Sequence, residues 1–328
     1  MILYLGRRLL GVAGILLAIC AITFTIFYLL PNDPAAAACG KTCSPERLAD
    51  VKAAMGLDKP VWDQFLAYLG GIFAGRDYGS GPSAVHCGFP CLGYSYEYGL
   101  PVWDLLTDRL PVSISLALGA AVLWLVLGLG AGVTSALRKG RPIDKALMVL
   151  SVGTASLPVY FTSIMLIWGL VRTAGVLPYP SYHKFTENPF EWGSNLLLPW
   201  IALALLYAAM YARQSRNSMI ETMAEPYIRT ARAKGLPSRT VTVKHGLRSG
   251  MTPILTIFGM DLGGLLAGAV ITESIFGLPG VGRLFYDGLA RSDQPVILGV
   301  TLLAAFFIVA ANLLVDLLYA FVDPRVRY

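Results

Sequence analysis

The sequence predicts an all-α membrane protein of six transmembrane helices, with an extracytoplasmic cap between helices 1 and 2. Three observations lead there. Of 328 residues, 55% are hydrophobic and only 14% are charged, with a mean hydropathy of +0.61, whereas a soluble domain carries about 25% charged residues. Several apolar runs reach the roughly 20 residues that a helix needs to cross a bilayer. The Lys and Arg residues cluster in loops between those runs, which is a signal of topology. That clustering also accounts for the net charge of +6 without a nucleic-acid partner; the expected surroundings are membrane lipid.

The elements follow in order. The first span is expected over about Leu9 to Leu30, entered by Arg7 and Arg8 and closed by the Pro31 to Pro34 segment PNDP. The second covers about Val112 to Leu137. The third covers about Ala146 to Val171 and is kinked or broken near Pro158, because proline breaks the helical ladder. The fourth runs from about Leu196 to Tyr211, the fifth from Pro253 to Ile271 and the sixth from Val296 to Phe321. The chain thus divides into residues 1–30, the first transmembrane helix; 31–111, an extracytoplasmic loop and cap; and 112–328, a transmembrane core that includes a long basic segment at 213–252.

Charge sets the orientation. Four segments on one side hold 16 of the 26 Lys and Arg residues: Arg7 with Arg8, the loop from Arg138 to Lys145, the segment from Arg213 to Met251, and the tail after Phe321. The positive-inside rule places both termini in the cytoplasm. A cleaved signal peptide is the competing reading of the N-terminus. The apolar run is too long for a signal core, and the AAAC string ending at Cys39 lies beyond the PNDP break.

Roughly eighty residues separate the first two spans, too many for a plain connection. Within them Glu46 to Leu57 and Val61 to Phe73 read as short amphipathic helices of a small cap. Four of the five cysteines fall here, as Cys39, Cys43, Cys87 and Cys91, while Cys20 lies in the first span. In an oxidising compartment disulfides are the favoured reading, with three possible pairings. The same four thiols as ligands for zinc or an iron–sulfur cluster are the alternative.

The basic segment is the most informative stretch. Eight Lys and Arg lie between Arg213 and Arg248 against two acids, Glu221 and Glu225. Pro226 suits a first helical turn, and Glu225 before it favours the positive end of the helix dipole. Tyr227 to Lys234 is rich in helix formers. Gly235 supplies a stop that tolerates positive φ, Leu236 and Pro237 turn the chain, and Ser238 can cap a second helix running to about Ser249.

In the fifth span, Gly259 with Gly263 and Gly264 with Gly268 form two small-x3-small steps that let a second helix approach closely. Gly128 and Gly132 do the same in the second span. Asp261, inside the fifth span, is a costly intramembrane acid, expected to line a pathway or to pair with an arginine of the basic segment. Glu273 falls near a span end, where solvation is easy. The stretch from Phe276 to Leu284, FGLPGVGRL, is too short and Gly-rich to cross, and reads as an outer, partly re-entrant segment.

The string YIRTARAKGL from Tyr227 to Leu236 resembles the cytoplasmic coupling loop of ABC-importer permeases in its dipeptide and oligopeptide variant. Arg229, Thr230 and Ala231 stand where the general motif has Glu-Ala-Ala; Gly235 is retained, and of His245 to Arg248 only Leu247 matches. The resemblance extends over Arg7 and Arg8, PNDP, GGLLAGAVITE from Gly263 to Glu273, FGLPGVGRL, and the tail DPRVRY from Asp323. It implies the type I ABC importer permease fold. It also implies that Tyr227, Arg229, Thr230, Ala231, Arg232, Lys234, Gly235 and Leu236 couple to an ATPase, and that Gly259, Asp261, Gly263, Gly264 and Gly268 line the translocation pathway. Implied partners are a second homologous permease, two cytoplasmic ATPase subunits and an extracytoplasmic substrate-binding protein. The implied cargo is a di- or oligopeptide, and the location is a bacterial or archaeal cytoplasmic membrane.

No phosphate-binding G-x4-GK[ST] loop is present in the sequence, so ATP would be bound by partner subunits and no cofactor is expected here. His86, His183 and His245 are scattered, and no hydrolase or metalloprotease string occurs; an enzyme reading has no chemistry to rest on. A permease of the same family for nickel, glutathione or oligosaccharides is the alternative. An ion-coupled secondary transporter is further off, because it would show inverted repeats and intramembrane polar clusters.

Overall fold

A computed structural model describes residues 2–29, 35, 43–55, 57–78 and 85–322. The PNDP segment, Cys39 and the tail from Asp323 lie outside them. The chain forms two compact units, Met1–Ser113 with Pro279–Phe307, and Ile114–Leu278 with Ile308–Tyr328.

The first unit begins with α1 (Ile2–Leu29). The cap follows with α2 (Pro45–Met55) and α3 (Val61–Ala74), at nearly the expected positions. The sequence reading missed two hairpins: β1 (Arg76–Tyr78) pairs antiparallel with β2 (Val85–Cys87), and β3 (Tyr94–Ser95) with β4 (Leu100–Pro101). Cys87 and Cys91 are joined in a disulfide, Cys43 is disulfide-bonded as well, and Cys20 is a buried free thiol. No group of metal-ligating side chains occurs among the described residues.

Helix α4 (Val102–Leu137) starts about ten residues before the expected span and carries Pro111 inside it. The reason is amphipathicity. Val102, Leu105 and Leu106 are buried with Leu92, Val281, Leu284, Val296, Val300 and Leu303 in one core, while Asp104, Thr107 and Asp108 are exposed. The first turns of α4 thus belong to the cap before the helix becomes apolar all round. Two later helices complete this core, α12 (Val281–Arg291) and the start of α13 (Gln294–Val322). A second cluster joins Cys20 of α1 to Tyr68 of α3 and Leu298 of α13, with Phe24 and Phe65 edge to face at 5.4 Å.

In the second unit, α5 (Pro142–Ala155) and α6 (Val159–Leu166) bend by 100° at the break before Val159, where the sequence places Pro158; a π turn, Ile167–Thr173, prolongs α6. Helix α7 (Pro189–Ala224) outruns the expected fourth span at both ends. Its start is fixed by Asn188, whose side chain accepts from the N–H groups of Phe190 and Glu191 at 3.1 and 3.2 Å, with Pro189 in the first turn. These are strong start signals. After it come α8 (Pro226–Ala233), α9 (Ser238–Gly250), α10 (Thr252–Leu266) and α11 (Val270–Ile275). The fifth span therefore ends at Leu266 rather than Ile271. Gly268 follows with φ +120°, a value that glycine adopts without strain.

Helices α4, α7 and the Gln294–Val315 part of α13 are each long and apolar enough to cross a membrane; α5 with α6, and α9 with α10, pass as bent pairs, and Leu10–Ile26 is a shorter apolar helix. The core of this unit is centred on Trp124, fully buried, with ring centroids 4.7 Å from Tyr207, 6.0 Å from Tyr211 and 6.2 Å from Phe258. The glycines of α4 permit the approach of α7. A Cβ on Gly128 would lie 2.6 Å from Cβ of Tyr211, and one on Gly132 1.8 Å from Oγ of Ser215. Large apolar side chains such as Val126, Val149 and Leu314 remain exposed, as lipid-facing surfaces require.

Candidate coupling loop and pathway helix

Helix α8 is held by two side chains. Ile228 is fully buried and Ala231 nearly so; both pack with Val241 of α9, and Met223 of α7 covers them. The opposite face is open: Tyr227, Arg229, Thr230, Arg232, Lys234, Gly235 and Leu236 are all exposed. Positions 228 and 231 are three apart and share one face, and it is this face that the fold buries. Thr230 donates to the carbonyl of Pro226 at 3.1 Å. Arg229, Arg232 and Lys234 make no ion pair among the described residues. Gly235 has φ +76° and stops the helix as the sequence predicts.

Two expectations change here. Ser238 does not cap α9: the N-cap is Pro237, without a side-chain bond, and Ser238 is the first helical residue. Much of α9 is π-helical, over Val241–Leu247. Gly246 lets it close on α7, since a Cβ there would meet Met219 at 2.8 Å and Met223 at 3.0 Å. Ala231 is a packing residue, so its side chain is not available on the open face.

A second constellation was missed from sequence. Asp144, at the start of α5, accepts from Arg216 of α7 through Nε at 2.7 Å and Nη2 at 2.9 Å. The same carboxylate accepts from the Ser135 hydroxyl and from the Gly140 N–H. Arg216 Nε also reaches Ser135 Oγ at 3.1 Å. This two-pronged, charge-assisted arrangement is the strong kind. It ties the end of α4, the loop after it and α5 to α7, nearly three turns before α8 begins. The available signal was a single acid inside a loop of four Lys and Arg residues.

The pathway candidates on α10 separate. Gly259 is buried, and a Cβ there would lie 2.0 Å from Cγ2 of Val315, so α13 occupies that face. Gly263 is also buried. Gly264 is exposed with nothing within 4 Å, beside exposed Met260. Gly268 is in the break after the helix. The five residues therefore do not share one surface. Asp261 pairs with no arginine among the described residues; it accepts from the Tyr211 hydroxyl at 2.9 Å. Glu273 is fully buried, contrary to the solvated setting expected, and accepts from the Ala269 N–H at 3.2 Å. In the Phe276 to Leu284 stretch, Gly277 has φ +67°, Phe276, Leu278, Val281 and Leu284 are fully buried, and the second half is the first turn of α12 rather than loop.

Comparison with known protein families covers nearly the whole chain. Residues 1–117 match the N-terminal membrane component of binding-protein-dependent transport systems, and residues 125–328 match the inner membrane component of those systems. The chain belongs to the binding-protein-dependent transport system inner membrane component family. It is 35% identical over 353 aligned residues to the dipeptide transport system permease protein DppB of Escherichia coli strain K12, covering 100% of this chain and 99% of that one. It is 33% identical over 325 residues to the probable peptide ABC transporter permease protein y4tP of Sinorhizobium fredii, covering 99% of each. Among solved structures, the inward-facing MetNI methionine ABC transporter aligns with a TM-score of 0.51 at 15% identity, over 67% of this chain and 97% of that chain. That likeness concerns the fold, which is the type I ABC permease fold. The chain is thus a multi-pass membrane component of a transport system.

Proposed function

We propose that this chain is the transmembrane permease subunit of an ATP-driven ABC importer that carries di- and oligopeptides across the cytoplasmic membrane. Full-length identity to dipeptide permeases carries the reading, and the open cationic face of α8 supports it. Both termini and α8 face the cytoplasm, where two ATPase subunits supply hydrolysis; this chain is non-catalytic. A second, related permease completes the pathway, and a binding protein delivers substrate from outside.

In this reading the exposed face of Tyr227, Arg229, Arg232 and Leu236 seats in an ATPase cleft. Closure of the ATPases pulls α8, which moves with α9 through the Ile228, Ala231 and Val241 core and with α7 through residue 225. Rigid-body motion of linked helices then switches the access of the pathway between two states. The test is ATP-dependent uptake of labelled Ala-Ala into vesicles holding the assembled transporter, with nickel, glutathione and an oligosaccharide as competing cargo. Uptake of one of those cargoes in place of the dipeptide would replace the peptide reading.

A further inference from the structure

A cavity of about 290 Å³ opens between α7 and α10, lined by Met210, Tyr211, Arg213, Gln214, Asn217, Ile254 and Ile257. Its size is at the small end of ligand pockets, which begin near roughly 300 Å³. Arg213 is the only charged residue in the lining, and among the described residues it forms no ion pair. Gln214 and Asn217 likewise make no side-chain hydrogen bond among the described residues. The Tyr211 hydroxyl is already committed to Asp261, so that residue offers the cavity its ring rather than a donor. Met210, Ile254 and Ile257 supply apolar wall.

From this set we infer that the cavity is a transit site for the C-terminal end of a peptide. It rests on the peptide-permease reading above. A guanidinium offers a planar fork matched to a carboxylate. The two amides offer both donors and acceptors, which the amide groups of a peptide can meet. Methionine is flexible and adapts to different shapes, so the wall selects little among side chains. The cavity thus reads what all peptides share, a terminal carboxylate next to an amide, and ignores what varies. It is one helical turn from Asp261 and next to Arg216, on the helix that ends at α8. Occupancy is therefore in line to respond when α8 moves. An anionic lipid headgroup would also satisfy Arg213, and the experiment separates the two ligands.

The experiment uses the assembled transporter in vesicles, with and without phosphatidylglycerol. Uptake of Ala-Ala and of its C-terminal amide is measured with each saturating the binding protein. Arg213→Gln is expected to lower Ala-Ala uptake at least tenfold and amide uptake less than twofold, with Arg213→Lys between. In a second measurement, a benzophenone-labelled dipeptide is photo-crosslinked to wild-type complex lacking the binding protein. Label is expected on residues 210–217 or 254–257, displaced by Ala-Ala and not by the amide. This arm decides the matter if the variants fail to assemble or if the amide is not carried. Equal loss for both peptides, no loss, label elsewhere, or displacement by both peptides overturns the site. A loss that follows phosphatidylglycerol content makes lipid the ligand and overturns it too. If wild-type complex carries no peptide at all, the peptide-permease reading itself fails, which is visible before any variant is compared.

Discussion

The cap and the basic helix α8 are built to opposite specifications. The cap holds a nine-residue buried core, an aromatic cluster between α1 and α3, and the Cys87–Cys91 disulfide. Helix α8 is anchored by two side chains on a three-residue core. Elements that move are drawn from the lightly held end of a protein. The difference teaches that, in the reading proposed above, the part that would receive force is lightly attached, while the heavily packed mass is placed elsewhere. The Arg216–Asp144 pair, joined by Ser135 and the Gly140 N–H, is a third kind of attachment, a polar clamp.

The strongest way to break this contrast is at the light anchor. Truncation of a buried Ile to Ala costs about 2–5 kcal/mol, more than a three-residue core can absorb. Ile228→Ala should abolish most transport, by tenfold or more, while the protein still inserts. Hydrogen exchange over residues 226–250 should quicken and exchange in the cap should not. Normal exchange in the loop with lost transport would show that α8 is held by something else. Exposed Arg229→Ala should lower transport without changing exchange anywhere.

Next in size comes the clamp. Arg216→Gln leaves the Asp144 carboxylate without its two-pronged donor, and both the thermal midpoint and transport should fall. Arg216→Lys should recover only part, because an ammonium cannot reproduce the fork. Equal recovery by lysine would reduce the clamp to simple charge pairing.

A smaller effect is expected in the cap. Replacing Cys87 and Cys91 by Ser opens a five-residue ring, worth about 2 kcal/mol by the loop-closure relation. Cap stability should fall accordingly, with transport at permissive temperature unchanged. Mass spectrometry of unreduced wild-type protein should find no free thiol at either position.

The smallest effect concerns pH. Burial raises the pKa of Asp293 above the usual carboxylate value, opposed by the hydroxyl of Ser95 and the N–H of Val296 as donors; Glu97 and Arg291 nearby act in opposite senses. A raised folded-state value means that the folded cap holds the proton more tightly than the unfolded chain. The contribution is complete at low pH and is lost as pH rises through the raised value. Asp293→Asn should flatten that slope, and an unchanged slope would assign it to another group.

Much of this contrast was legible in the sequence. Pro226 and Gly235 bracket α8 because each acts on its own backbone, and Pro158 marks the bend for the same reason. Spacing puts residues 228 and 231 on one face but does not say which face is buried, and the sequence reading had Ala231 among the coupling residues. The hairpins were not legible, since strands of two and three residues carry no period of their own. Nor was the early start of α4, where polar residues facing outward conceal buried Leu105 and Leu106. Glu273 and Asp261 show the limit most clearly. Hydropathy locates an acid along the span, but its partner depends on how other helices pass, and Tyr211 is fifty residues away.

Helix α7 also has a mechanical reading. At 36 residues it is a rod about 54 Å long. It meets α4 at several places, Gly119 against Trp200 and Gly128 and Gly132 against Ala208, Tyr211 and Ser215. Those contacts run over residues 200–215 of the rod, about 22 Å of its length, so the two helices are joined along a seam rather than at a pivot. In the reading proposed above, a rod held along such a seam passes a tilt at its α8 end to its far end as one body, less whatever the missing backbone bond at Pro199 gives away.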